Sequence, residues 1–205
     1  TDVSFLEQLP LEFRSDFDFF IKAVQLHGGS LQYASEKLKN NKQIVLEAIK
    51  VNAIKSGLAN ENFIQYASEN LLNDRSFIIQ AISVNGKIYK FLKNDFKNDI
   101  EIINKSIENN PSVYEYLDNK YKSNIEISKK AISLNPYILS FAPDEIRNNK
   151  DIVICAVKKY PDSIQYASDN LKNDFEIAKI LVMPNENHPY GKPRSIQYLS
   201  SKIGR

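Results

Sequence analysis

An aromatic residue returns along this chain at a nearly fixed interval, and that interval limits what the chain can fold into. Tyr33, Tyr66, Phe91, Tyr116, Phe141, Tyr166 and Tyr198 are separated by 33, 25, 25, 25, 25 and 32 residues. The string Gln-Tyr-Ala-Ser stands at 32–35, 65–68 and 165–168, with a near copy at Gln197-Tyr198-Leu199-Ser200. A unit of this length buries too little apolar surface to fold alone and must stack on its neighbours.

Other columns keep the same register. Counting from the aromatic, position +5 holds Leu38, Leu71, Phe96, Tyr121, Ile146, Leu171 and Ile203, and position +11 holds Ile44, Phe77, Ile102, Ile127, Ile152 and Ile177. Position +8 is Asn or Asp throughout: Asn41, Asp74, Asp99, Asn124, Asn149 and Asp174. These side chains suit a helix N-cap, where they accept from free backbone N–H groups. Acids such as Glu101, Glu126, Asp151 and Glu176 follow in the first turn, where the helix dipole favours them. Apolar residues at +11, +12, +15 and +16 then make a stripe at helical spacing. Position +19 is Asn52, Asn85, Asn110, Asn135, Tyr160 and Asn185, with Pro111, Pro136 and Pro161 directly after three of them. Asn tolerates the left-handed conformation that ends helices, and Pro forbids continuation. The spacing therefore predicts a long helix of about 11 residues after each cap.

The preceding stretch reads as a shorter helix. In residues 164–171, Ile164, Ala167 and Leu171 share one face, and Tyr166 is expected to broaden it. On that reading the aromatic column is repeating core rather than a base-stacking platform. The expected fold is all-α: an α-solenoid of about seven two-helix repeats with a 25-residue period. It is expected to form a single helical-repeat domain over 1–205, with a degenerate N-terminal cap at 1–15 and repeats over 16–205. Insertions at 53–61 and 185–194 break the period after a long helix.

Composition narrows the function. The net charge is +2 and only 5 of the 27 basic residues are Arg. That is a poor supply of bidentate phosphate forks, so nucleic acid is disfavoured as a partner. Cys155 is the single cysteine and the histidines are His27 and His188. No intrachain disulfide and no Cys/His zinc site can be built from them, and no metal or cofactor is expected. Glycine-rich phosphate loops, Gly-x-Ser-x-Gly and His-Glu-x-x-His are absent from the sequence, so the chain is expected not to be an enzyme. A Cys155 nucleophile would need an orienting base that the sequence does not supply. His27 falls in the helix-ending column and is expected to cap that helix, where the dipole favours a cation. No apolar run of membrane-spanning length occurs. No signal peptide is expected in this chain, and its start at Thr1 suggests part of something longer.

Taken together, the Gln-Tyr-Ala-Ser segment, the apolar +5 residue, the Asn/Asp cap and the Ile-x-x-x-Ala-Ile helix ending in Asn-Pro resemble a known repeat. It is the QYAS-type short helical repeat family, a domain of unknown function frequent in large proteins and effectors of intracellular bacteria. The resemblance covers about residues 16 to 205. It implies a bacterial origin, with which an AT-rich codon usage behind 25 Ile, 22 Asn and 22 Lys agrees. It also implies a cytoplasmic location or, for an effector, the host-cell cytosol. It carries over no catalytic residue.

The leading functional expectation is a non-catalytic scaffold that binds a protein or peptide. The alternatives are an RNA- or nucleic-acid-binding repeat module and a substrate-recruiting accessory domain of an enzyme. Insertions in repeat proteins often lie on the binding face. The second insertion gathers His188, Tyr190, Lys192 and Arg194, which are the candidate binding residues. A repeat that reads RNA needs a regular polar pair in successive units. Position +14 (Glu47, Gln80, Lys105, Lys130, Cys155, Ile180) shows no such code.

Overall fold

Seven Asn or Asp side chains each start a long helix, and the computed structural model shows how. It describes residues 3–54, 62–182 and 197. Asp16, Asn41, Asp74, Asp99, Asn124, Asn149 and Asp174 all accept from backbone N–H groups two or three residues on, as between Phe19 N and Asp16 Oδ1 at 2.7 Å. The helices they open are α1 (Phe17–Leu26), α2 (Lys42–Ile54), α3 (Arg75–Val84), α4 (Ile100–Asn109), α5 (Ile125–Leu134), α6 (Lys150–Lys159) and α7 (Phe175–Val182). No strand occurs among the described residues.

Asn at +19 ends these helices, but not in the left-handed conformation. Asn85, Asn110 and Asn135 are extended, with φ between −150 and −140°. Asn85 and Asn135 also start the succeeding element: Asn85 Oδ1 accepts from Lys87 N and Asn135 Oδ1 from Tyr137 N, both at 3.1 Å. His27 does the same through Nδ1, which accepts from Gly29 N at 3.1 Å. His27 is thus the C-cap residue of α1, its N–H donating to Ala23 O at 3.0 Å, and its side chain caps the next helix.

That succeeding element is a 3-10 helix, and here the expected short helix proves to be two. Pro161–Tyr166 is 3-10 and Asp169–Lys172 is a single α-turn, with Ala167 and Ser168 extended between them. At two of these breaks a serine hydroxyl caps the α-turn. Ser68 Oγ accepts from Leu71 N at 3.3 Å and Ser168 Oγ from Leu171 N at 3.4 Å. The same serines tie one repeat to the one before. Ser68 N donates to Lys39 O and Ser168 N to Arg147 O at 3.0 Å, and their hydroxyls donate to Asn40 and Asn148 Oδ1 at 2.6 Å.

The chain divides into two compact units, Thr1–Asn110 and Pro111–Arg205. Within the first, α1, α2, α3 and α4 pack in chain order, with the 3-10 helices Gly28–Tyr33, Phe63–Tyr66 and Gly86–Phe91 against them. Within the second, α5, α6 and α7 pack in order, with Pro111–Tyr116, Pro136–Phe141 and Pro161–Tyr166. The core lies between the long helices and the 3-10 helices. It is filled by +11 residues (Ile44, Phe77, Ile102; Ile127, Ile152, Ile177) and by pairs three apart, one on each 3-10 helix and one directly after it (Ile64 with Ala67, Tyr89 with Leu92; Tyr114 with Leu117, Ile164 with Ala167).

The recurring aromatic does not belong to that core, contrary to expectation. Phe91 is 39%, Tyr116 49% and Phe141 44% exposed. A 3-10 helix has three residues per turn. Positions −2 and +1 therefore face inward together and position 0 is turned outward.

Neighbouring long helices are also joined by charge. Lys42 Nζ reaches Asp74 at 2.6 Å, Arg75 reaches Asp99 and Glu101 at 2.7 Å, and Lys150 reaches Asp174 and Glu176 at 2.8 Å. Each cation stands at +9 and each Asp is the +8 cap of the following repeat. In sequence the rule has no exception: apolar Phe17, Ile100 and Ile125 at +9 are followed by neutral Asn41, Asn124 and Asn149 at the next +8. Hydrogen bonds from Lys42, Arg75 and Lys150 respectively hold the Asp74, Asp99 and Asp174 carboxyls below the usual range. A carboxylate whose folded pKa is depressed stabilises the fold fully above its unfolded value of about 3.9, and loses that contribution as pH falls through the folded value. The urea midpoint is therefore expected to drop below about pH 4. A variant with Asp74→Asn, Asp99→Asn and Asp174→Asn should drop less over the same range. Parallel losses in the two proteins would show that these pairs are not the acid-sensitive groups.

Candidate functional site

The outward face of the 3-10 layer is where the side chains left over from folding collect. In the first unit it carries a cleft of about 450 Å³. Phe63, Tyr66 and Phe91 give it an aromatic lining, and Gln32, Asn62 and Gln65 an amide one, with His27 and Gly29 completing it. The His27 ring lies 5.8 Å from that of Phe63, centroid to centroid. Asn62 Oδ1 is buried with no hydrogen-bond partner among the described residues. Except for His27, no ionisable side chain apart from the Tyr66 phenol lines the cleft. Each carboxamide offers donors and an acceptor at once, which is the complement of a peptide group. The aromatic surface suits an apolar side chain.

The second unit has a different surface on its own 3-10 layer. Tyr137 is 45% exposed, and its ring centroid lies 4.6 Å from Tyr160 and 6.5 Å from Tyr166. Tyr160 is pushed up to about 12 by a hydrogen bond with Tyr137, then by burial, then by the charges of Tyr137, Asp162 and Tyr166. Behind the layer, Tyr114 is fully buried and its hydroxyl donates to Lys122 O at 2.9 Å and contacts Ser128 Oγ at 2.8 Å. Burial raises that phenol as well. A further cleft of about 550 Å³ lies by the one-turn helices Asp144–Arg147 and Asp169–Lys172. Arg147 is paired there with Asp144 and Lys172 with Asp169, and Glu145 also lines the cleft.

The sequence-based candidates His188, Tyr190, Lys192 and Arg194 lie outside the described residues, as do 185–194 as a whole and 55–61 of the first insertion. Cys155 is half-buried on α6. Among the described residues no three His, Cys, Asp or Glu side chains are grouped to hold a metal ion. No described helix is long and apolar enough to cross a membrane. Sequence reasoning missed the clefts because it placed the aromatic column inside. A usable signal was present at position −4, which reads Gly29, Asn62, Lys87, Ser112, Tyr137 and Asp162. A column that polar is a surface column, so the tyrosine in it is a surface tyrosine.

Long helices stacked in order within each unit, each capped by Asn or Asp and joined by a 3-10 helix and a single α-turn, define an all-α tandem-repeat protein of the solenoid class. The family model described as Domain of unknown function (DUF4116) matches residues 16–56, 58–97, 76–122, 99–147, 124–172 and 149–203. The chain belongs to that family. No curated protein and no solved structure matches it.

Proposed function

We propose that the chain is a non-catalytic scaffold that binds an extended segment of a protein through the outward face of its 3-10 layer. The observation that carries this is the cleft of the first unit, lined by Phe63, Tyr66 and Phe91 beside Gln32, Asn62 and Gln65. Amides pair with a peptide backbone and aromatic rings receive its apolar side chains. A phosphate backbone would instead call for Lys and Arg, and none lines this cleft. Several of the chain's cations are already held between repeats, Lys42, Arg75, Lys93, Lys150 and Lys159 among them. Residence in a larger, effector-like bacterial protein, acting in the cytoplasm or in host-cell cytosol, is supported by the repeat resemblance alone.

Selection from a random peptide library is the direct test. The wild type is expected to enrich related peptides, and Gln32→Ala with Gln65→Ala should weaken them at least about tenfold, or about 1.4 kcal/mol. Gln65 is exposed and Gln32 half-buried at the cleft, and both changes should leave the fold intact. Failure to enrich any peptide, with salt-dependent binding of single-stranded RNA instead, would replace this reading by the nucleic-acid one.

A further inference from the structure

Two tyrosines of the second unit stand where the repeat asks for none. Position −6 is His27, Asn85, Asn110 and Asn135 in other repeats, and is Tyr160 before Pro161. His27, Asn85 and Asn135 cap a 3-10 helix there, while Tyr160 makes no cap. Position −4 is small or polar everywhere except at Tyr137. These departures come from adjacent repeats, and their rings meet at 4.6 Å. Tyr166 stands edge-on to Tyr137 at 6.5 Å. Folding the repeat explains neither tyrosine.

Asp162 occupies the −4 position one repeat after Tyr137, its charge acts on Tyr160, and its Oδ1 is buried with no hydrogen-bond partner among the described residues. An orphaned buried acceptor costs free energy until a donor reaches it. Lys159, its near neighbour in sequence, is held by the Ser133 and Leu134 carbonyls at 2.7 and 2.9 Å. Electron-rich ring faces attract organic cations, and the carboxylate supplies the opposing charge and an acceptor. A Mg²⁺ or Ca²⁺ ion would need six or more oxygen ligands, which one carboxylate does not offer.

We propose that Tyr137, Tyr160, Tyr166 and Asp162 form a site for an organic cation, the ammonium or guanidinium group of a Lys or Arg side chain in a bound polypeptide. The source of the cation, though not the site, rests on the peptide-binding reading above.

The test is a titration of the intact chain followed by the ring resonances of the three tyrosines. The probes are Nα-acetyl-arginine and Nα-acetyl-lysine methylamides, tetramethylammonium, and the neutral analogues of citrulline and norleucine. Saturable shifts are expected with the cations, at least about tenfold stronger than with the neutral analogues. Asp162→Asn and Tyr160→Asn should each weaken them at least about tenfold. Tyr160→Asn restores the cap seen at Asn135, so its loss of binding cannot be laid to unfolding. Equal responses to arginine and citrulline, or no saturation by about 50 mM, would overturn the site. Cation binding together with a failed peptide selection would leave the site standing and refute only its polypeptide source. No response to the two amino-acid amides would overturn the proposed site even if tetramethylammonium binds.

Discussion

Phe77→Ala is expected to destabilise the first unit by about 3–5 kcal/mol, while Phe91→Ala costs only about 1 kcal/mol. Both residues are aromatic and both recur in register, so the contrast is a direct reading of which column is core. Phe77 is fully buried on α3 and its N–H is bonded to the Asp74 cap. Its removal leaves a cavity that packed neighbours can only partly close. Phe91 is 39% exposed on the 3-10 layer and loses contacts on one side only. Against a total stability of about 5–15 kcal/mol for an ordinary domain, the first change removes much of the margin. Urea unfolding combined with amide exchange across α3 measures it. Equal losses at the two positions would restore the aromatic column to the core.

Gly28→Ala should be nearly as damaging, at about 3 kcal/mol, because the new methyl has no room. A Cβ at Gly28 would lie 2.3 Å from the Phe63 ring and 2.6 Å from the Ala48 carbonyl oxygen. The ring could shift, but the carbonyl belongs to α2 and moves only with the helix. A Gly28→Ala, Phe63→Leu double variant should consequently recover part of the loss and not all of it. The readout is the urea midpoint of each variant. A single variant as stable as wild type would mean that α2 does not approach this closely. The need is one of close approach, which separates Gly28 from the prolines that hold the same column later, Pro111, Pro136 and Pro161. There the fixed φ of proline begins the 3-10 helix instead.

The helix caps, the long helices and the +11 core were all legible, because each depends on chemistry within about one turn of a single residue. Asp74 names its own helix start, and Ile102 its own face. What escaped was the period of the short element. Ile164, Ala167 and Leu171 fit an α-helix from sequence, yet Ser168 ends one helix type and begins another. A change from 3.6 to three residues per turn over six residues leaves almost no periodic trace. It decides nonetheless whether Tyr116 or Phe141 points inward. The candidate surfaces escaped for the same reason. Gln65 and Tyr66 were visible as a motif, but the side on which they stand follows from the 3-10 geometry. Tyr137 and Tyr160 are far apart in sequence, and only the packing of adjacent repeats brings their rings together.

The pairing of each +9 residue with the next +8 cap also constrains how such a chain grows. Tandem duplication is the simplest route to more repeats, and a new copy must be compatible with itself. The segment from Asp74 to Asn98 is: its Arg75 would meet a second Asp74. So is the segment from Asn124 to Asn148, whose Ile125 would meet a neutral Asn. The segment from Asp99 to Ser123 is not, since Ile100 would leave the copied aspartate unpaired. Lys150 beside a second Asn149 would lose its capping aspartate and keep only an acid at +10, Asp151 in place of Glu176. Repeats of this kind behave as directional connectors with two matched types of joint. Lengthening the array by copying the segment from Asp74 to Asn98 should preserve every joint, whereas copying the one from Asp99 to Ser123 introduces a fault that a second mutation has to repair.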